Sequence, residues 1–90
     1  MPPISTDTAP PGARTRLADL RPGSHAVVET VDDSTPIGRR LLDLGFVPRT
    51  PIAVLRRAPL GDPVVYELRG TRLCLRRQEA ERVWVRVRPG

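Results

Sequence analysis

The stretch Val64 to Leu75, VVYELRGTRLCL, leaves the backbone little choice. Val64, Tyr66 and Leu68 alternate with Val65, Glu67 and Arg69, and a two-residue period places one set on each face of a strand. Gly70 and Thr71 then turn the chain, and Leu73 and Leu75 resume the alternation. Two short strands joined by a tight turn and apolar on one face cannot stand alone in water, so the rest of the chain must cover them.

Three further segments read as strands. SHAVVETV (Ser24 to Val31) is short and rich in β-branched residues, PIAVLRRA (Pro51 to Ala58) resembles it, and VWVRV closes the chain with Val83, Val85 and Val87 on one face and Trp84 and Arg86 on the other. Between the first two lies DDSTPIGRRLLDLG, which carries helix punctuation: Ser34 or Thr35 as N-cap, Pro36 in the first turn and Gly45 as the stop. Ile37, Leu41 and Leu44 share a face widened by Leu42, and Arg39 and Arg40 point away from it. RLADLRPG (Arg16 to Gly23) allows at most one helical turn before its Pro-Gly breaker, and RQEAER is a second short turn. About five short strands with a helix inserted after the first fit a compact antiparallel barrel better than a sandwich or a parallel sheet. A barrel also removes the exposed edges that a short chain tolerates badly.

The chain has 90 residues, enough for one domain. Residues 1–13 contain four prolines and no aromatic residue, which predicts a disordered tail and a folded unit over residues 14–90. There is neither a membrane-length apolar run nor a signal-peptide pattern, and both point to the cytosol. Cys74 is the single cysteine, so no internal disulfide forms, and its apolar surroundings predict a packed small hydrophobe. The net charge of +5 comes from arginine alone, since lysine is absent. Such a balance suits nucleic acid, an anionic surface or an acidic protein, and does not choose among them.

The residues that carry chemistry elsewhere are scarce. His25 is the sole histidine and lies far from Cys74, so no cluster has metal-ligand spacing. Asp32 and Asp33, next to the helix start, read as capping residues complementing the helix dipole. Neither a catalytic triad signature nor a phosphate-binding loop is present. Nucleic-acid readers interleave basic residues with stacking aromatics, but Tyr66 and Phe46 read as core here and the arginines are scattered. A binding module is what remains. Its most conspicuous feature is APLGDP (residues 58–63), where the turn formers Pro59, Gly61, Asp62 and Pro63 surround Leu60. Two readings stand: Leu60 folds back over an open end of the barrel, or it is an apolar anchor for a partner, flanked by Arg56 and Arg57. Trp84 likewise reads as a partial core lid or as an interface residue.

The run from Arg39 to Val85 resembles the bacterial ferrous-iron transport protein A family, FeoA. The resemblance rests on an Arg-Leu-rich helix ending in LGF, a Pro-led turn into a strand, the PLGDP loop, and RG..L.LR..EA before a valine-rich strand; LADLRPG upstream matches as well. It implies a mostly β, SH3-like barrel with one or two short helices. It further implies a cytosolic protein that is not an enzyme; the residues themselves offer neither a catalytic nor a metal site and call for no cofactor. The implied partner is the FeoB-type ferrous-iron permease with its GTP-binding domain, through which the protein would be peripheral to the membrane. The corresponding surface comprises Leu60, Gly61, Asp62, Arg39, Arg40, Arg56, Arg57 and Trp84. Two alternatives stay open, a nucleic-acid-binding SH3-like barrel and a stand-alone relative of the C-terminal domain of metal-dependent repressors, and so does homo-oligomerisation. One departure is visible: after LGFVP the family has glycine where this chain has Arg49, so that turn is either type I or strained.

Overall fold

Strand pairing follows the alternation seen in the sequence. The computed structural model describes residues 12–88 and contains β1 (Arg14–Arg16), a 3-10 turn (Leu17–Asp19), β2 (His25–Val31), α1 (Pro36–Asp43), β3 (Pro51–Arg57), β4 (Val64–Leu68), β5 (Thr71–Leu75), α2 (Arg77–Ala80) and β6 (Val83–Val87). The six strands form one antiparallel sheet in the order β1-β6-β2-β3-β4-β5. The five expected strands are present. The sixth, β1, escaped notice because RTR has no apolar face; it exists by pairing with β6, Arg16 opposite Trp84 and Arg14 opposite Arg86. The ladder continues to Gly12 and Ala13, which exchange hydrogen bonds with Val87. The expected disordered tail over residues 1–13 falls almost wholly outside the described residues.

The core is a single cluster. Val64, Tyr66, Leu68 and Leu75 from the central hairpin meet Ala26, Val28, Ile52, Val54, Val83 and Val85, with Leu17, Leu20, Leu41, Phe46 and Ala80 closing the ends. Cys74 is exposed, contrary to expectation. It pairs with Val65 on the outward face, where the alternation that turns Leu75 inward must send it. A bulge in β3 between Val54 and Arg56 breaks strict alternation, and both Arg56 and Arg57 end in solvent.

Helix α1 starts where its punctuation places it. Thr35 Oγ1 accepts a hydrogen bond from the Gly38 amide (3.2 Å), and Pro36 occupies the first turn. Neither aspartate caps it: Asp32 instead accepts from the amide and hydroxyl of Ser34 and pairs with Arg82 at 3.6 Å, tying the end of β2 to the start of β6. The helix ends with the Gly45 amide donating to the Leu42 carbonyl and the Phe46 amide to that of Leu41, a Schellman arrangement. Leu41 is buried, but Leu44, expected on the same face, is 41% exposed, as the C-cap residue lying just beyond the last helical residue Asp43. Gly38 permits a close approach of α1 to the backbone that follows β2. A β-carbon there would lie 1.7 Å from the Asp32 carbonyl oxygen.

Arg49 takes a positive φ of 74°, so the turn after LGFVP keeps the conformation that glycine prefers and the chain carries the strain. Its amide donates to the Val28 carbonyl (2.7 Å), which holds it there.

Candidate docking surface

The loop between β3 and β4 is a built structure. Ala58 receives a hydrogen bond on its carbonyl from the Gly61 amide (2.7 Å) and donates its own amide to Pro63 (2.9 Å). Residues 58–61 therefore form a β-turn with Pro59, whose ring fixes φ, at its second position and Leu60 at its third. Gly61 follows with a φ of 92°, which an L side chain rarely adopts. Asp62 then reaches away from the loop: its Oδ1 accepts from the Arg77 amide at 2.8 Å, capping the first turn of α2. Held by the hairpin and by α2, the loop leaves Leu60 97% exposed. The reading in which Leu60 folds back over the barrel is thereby excluded.

Arginines at the base of this loop differ in their engagement. Arg57 donates from Nη2 to the Leu20 carbonyl at 3.0 Å. Arg56 is exposed beside it. Arg77 ties α2 to the 3-10 turn: its guanidinium donates to the Ala18 carbonyl (3.3 Å), pairs with Asp19 (3.0 Å) and, within its own helix, pairs with Glu81 one turn on (3.2 Å). Between these groups lies an open cleft of about 650 Å³ lined by Thr15, Ala18, Asp19, Arg21, Pro22, Arg57 and Arg77. The sequence reading missed Arg21, Arg77 and this cleft. The paired arginines at the start of α2 were the available signal, but only the fold brings the 3-10 turn against them. Tyr66 lies beneath this end of the barrel; burial raises its phenol to about 12, against an opposing pull from the Arg57 and Arg77 charges.

The remaining expected surface residues lie on other elements. Arg39 and Arg40 are exposed on α1, Arg39 donating to the Asp33 carbonyl at 3.4 Å. α1 packs against α2, the helix whose Arg77 amide holds Asp62 of the loop. Trp84 is half-buried on the outer face of β6, where the guanidinium carbons of Arg14 and Arg16 lie 4.3 and 5.0 Å from the ring centroid. Two cation–π contacts therefore cover Trp84 from within the chain, and they fasten β1. Glu29 completes the fastening by accepting from Arg86 (2.6 Å) and from Arg14. Those two hydrogen bonds, that of Arg86 first, hold its carboxyl below the ordinary carboxylate range.

Among the described residues, no group of three or more His, Cys, Asp or Glu side chains is placed to hold a metal ion. Likewise, no described helix is long and apolar enough to cross a membrane.

Residues 15–87 match the FeoA domain family. The chain is 36% identical over 72 residues to the Fe(2+) transport protein A/Fe(2+) transporter FeoB fusion protein of Porphyromonas gingivalis, a match covering 80% of this chain and only 8% of the length of that relative. Its fold is similar to that of the FeoA-like protein from Clostridium acetobutylicum, with a TM-score of 0.80 and 31% identity, over 86% of this chain and 90% of that one. It is also similar to the zinc-complexed FeoA of Stenotrophomonas maltophilia, described as a prokaryotic SH3 domain protein, with a TM-score of 0.72 and 37% identity over 79% and 88% of the two chains. The antiparallel sheet with its two short helices is thus SH3-like, and this chain belongs to the FeoA family.

Proposed function

We infer that the protein is a non-enzymatic accessory of ferrous-iron uptake. It works in the cytoplasm by docking the β3–β4 loop on the cytosolic part of a FeoB-type, GTP-binding permease, and so supports Fe(II) transport. The observation that carries this reading is Leu60, which is 97% exposed at the apex of a loop fixed by hydrogen bonds on both sides. A leucine left in water forgoes about 2 kcal/mol of burial that a partner's pocket supplies on binding. Preorganisation lowers the entropy lost in that step.

Family membership supports the link to iron transport. The relative in which transport protein A and FeoB are one polypeptide supports the choice of partner, because fusion secures a high effective concentration for two domains that act together. The Stenotrophomonas relative is described as a candidate activating factor for bacterial ferrous iron transport. In this reading Leu60 is the anchor, Gly61 and Asp62 hold it, Arg56 and Arg57 flank it, and Arg39 and Arg40 extend the surface along α1. Trp84, already covered by Arg14 and Arg16, stands at the margin.

The test is an NMR titration of the labelled chain with the purified cytosolic domain of the permease, with and without guanine nucleotide. Shifts are expected on residues 56–62 and on Arg39 and Arg40. Leu60→Asp should leave stability within about 0.5 kcal/mol, as for an exposed site, and weaken binding at least about tenfold, as for an interface anchor. Undiminished binding by a folded Leu60→Asp variant defeats the loop assignment.

A further inference from the structure

The charges around Leu60 are unbalanced, and the imbalance bears on what the loop meets. Arg57 donates to the Leu20 carbonyl, a neutral acceptor that fixes the guanidinium without cancelling its charge. Arg56, on the same strand end, has no carboxylate partner among the described residues. The neighbouring acids are already engaged: Asp19 pairs with Arg77 at 3.0 Å, and Asp62 accepts from the Arg77 amide at 2.8 Å and lies 4.0 Å from Arg76. Among the described residues lining the cleft, Asp19 is the one acid, and with Glu81 it is taken up by Arg77, so it does not compensate Arg57.

We propose that the partner segment docking here is acidic: its apolar socket takes Leu60, while carboxylates beside that socket enter the cleft to pair with Arg57 and meet Arg56 along the strand. This rests on the docking reading above and adds the chemistry of the other side. A guanidinium already oriented by a backbone carbonyl keeps N–H groups free for a carboxylate fork and loses little freedom on pairing. A basic or neutral partner would leave Arg57 uncompensated next to a desolvated leucine, which is unfavourable. A bilayer of anionic lipid is the poorer fit, because one leucine is a small apolar anchor and Asp62, two residues away, is repelled by such a surface.

The test measures binding of the full chain to the cytosolic domain of the permease at about 50 and about 500 mM salt, a change that shortens the Debye length roughly threefold. Wild type should weaken about tenfold or more across that range. At low salt, Arg56→Gln and Arg57→Gln should each bind about fivefold more weakly and show a flatter salt dependence, whereas Leu60→Asp should weaken binding at both concentrations. Among the described residues Arg56 has no carboxylate partner, so its substitution separates a lost contact from a folding defect. Salt-independent binding that Leu60→Asp abolishes and both glutamine variants preserve overturns the acidic partner and leaves the docking reading standing. No binding by wild type overturns both. Sedimentation with phosphatidylserine vesicles, lost in Leu60→Asp, assigns the surface to lipid and overturns the proposal as well.

Discussion

Gly38→Ala sets helix propensity against packing, and the two disagree in sign. Alanine is favoured over glycine inside a helix by about 1 kcal/mol, so propensity alone predicts a more stable protein. The structure predicts the reverse. A β-carbon at residue 38 would lie 1.7 Å from the Asp32 carbonyl oxygen, 2.7 Å from its carbon and 3.0 Å from Cα of Asp33, all backbone atoms. Contacts shorter than 3.0 Å are essentially never seen, so α1 and the end of β2 must part by at least about 1.3 Å. Neither side gives easily: the Asp32 amide donates to Arg82 (2.9 Å) and its carboxylate holds Ser34, while α1 is anchored by the buried Leu41 and by the Thr35 cap. Forced insertion into a packed site costs about 1–3 kcal/mol, with backbone clashes at the upper end. Net of the propensity gain, a loss of about 2 kcal/mol remains, which in a domain of this size lowers Tm by about 8–16 °C. Thermal unfolding followed by circular dichroism decides the matter: a Tm at or above wild type would falsify the close-approach argument.

Arg49→Gly should stabilise by about 0.5 kcal/mol, because glycine takes the 74° φ without steric cost but gives back part of the gain as unfolded-state entropy; a lower midpoint in urea would contradict this. The raised phenol of Tyr66 makes a pH prediction. Its folded value of about 12 lies above the unfolded one of about 10, so the unfolded chain loses its proton first and stability is full below pH 10, then falls by up to about 2 kcal/mol as pH rises to 12. As Tyr66 is the only tyrosine, tyrosinate absorbance reports it alone, and ionisation near pH 10 in the folded protein would refute the burial. Trp84→Leu removes both cation–π contacts and should free β1 at a cost of about 1 kcal/mol. Amide exchange of residues 14–16 should then quicken while that of β4 does not; uniform quickening would point to global destabilisation instead.

Much of this architecture is local in origin. The two-residue alternation of Val64, Tyr66 and Leu68, the β-branched runs before and after, and the Thr35, Pro36 and Gly45 punctuation of α1 each specify an element through interactions within a few residues. So does the turn that exposes the loop. What escaped the sequence was whatever depends on a distant partner. β1 has no apolar face and exists only because Trp84, Arg86 and Glu29 receive it. Cys74 looked buried from its apolar neighbours until the register with Val65 turned it outward. The caps divided in the same way. Thr35 serves its own helix, whereas Asp32 turned out to bridge to Arg82 across the fold.

The candidate surface divides along the same line. That residues 58–63 form an exposed turn with a leucine near its apex follows from Pro59, Gly61 and Pro63, because these residues restrict φ or permit its positive range whatever surrounds them. Whether Leu60 would fold back, and which charges would stand beside it, could not follow from the turn. Those outcomes depended on Asp62 finding the Arg77 amide, on Arg57 finding the Leu20 carbonyl, and on the 3-10 turn closing against α2. Contacts between residues 15 to 59 positions apart are set by the packing of the whole barrel, and no window of the sequence contains both partners.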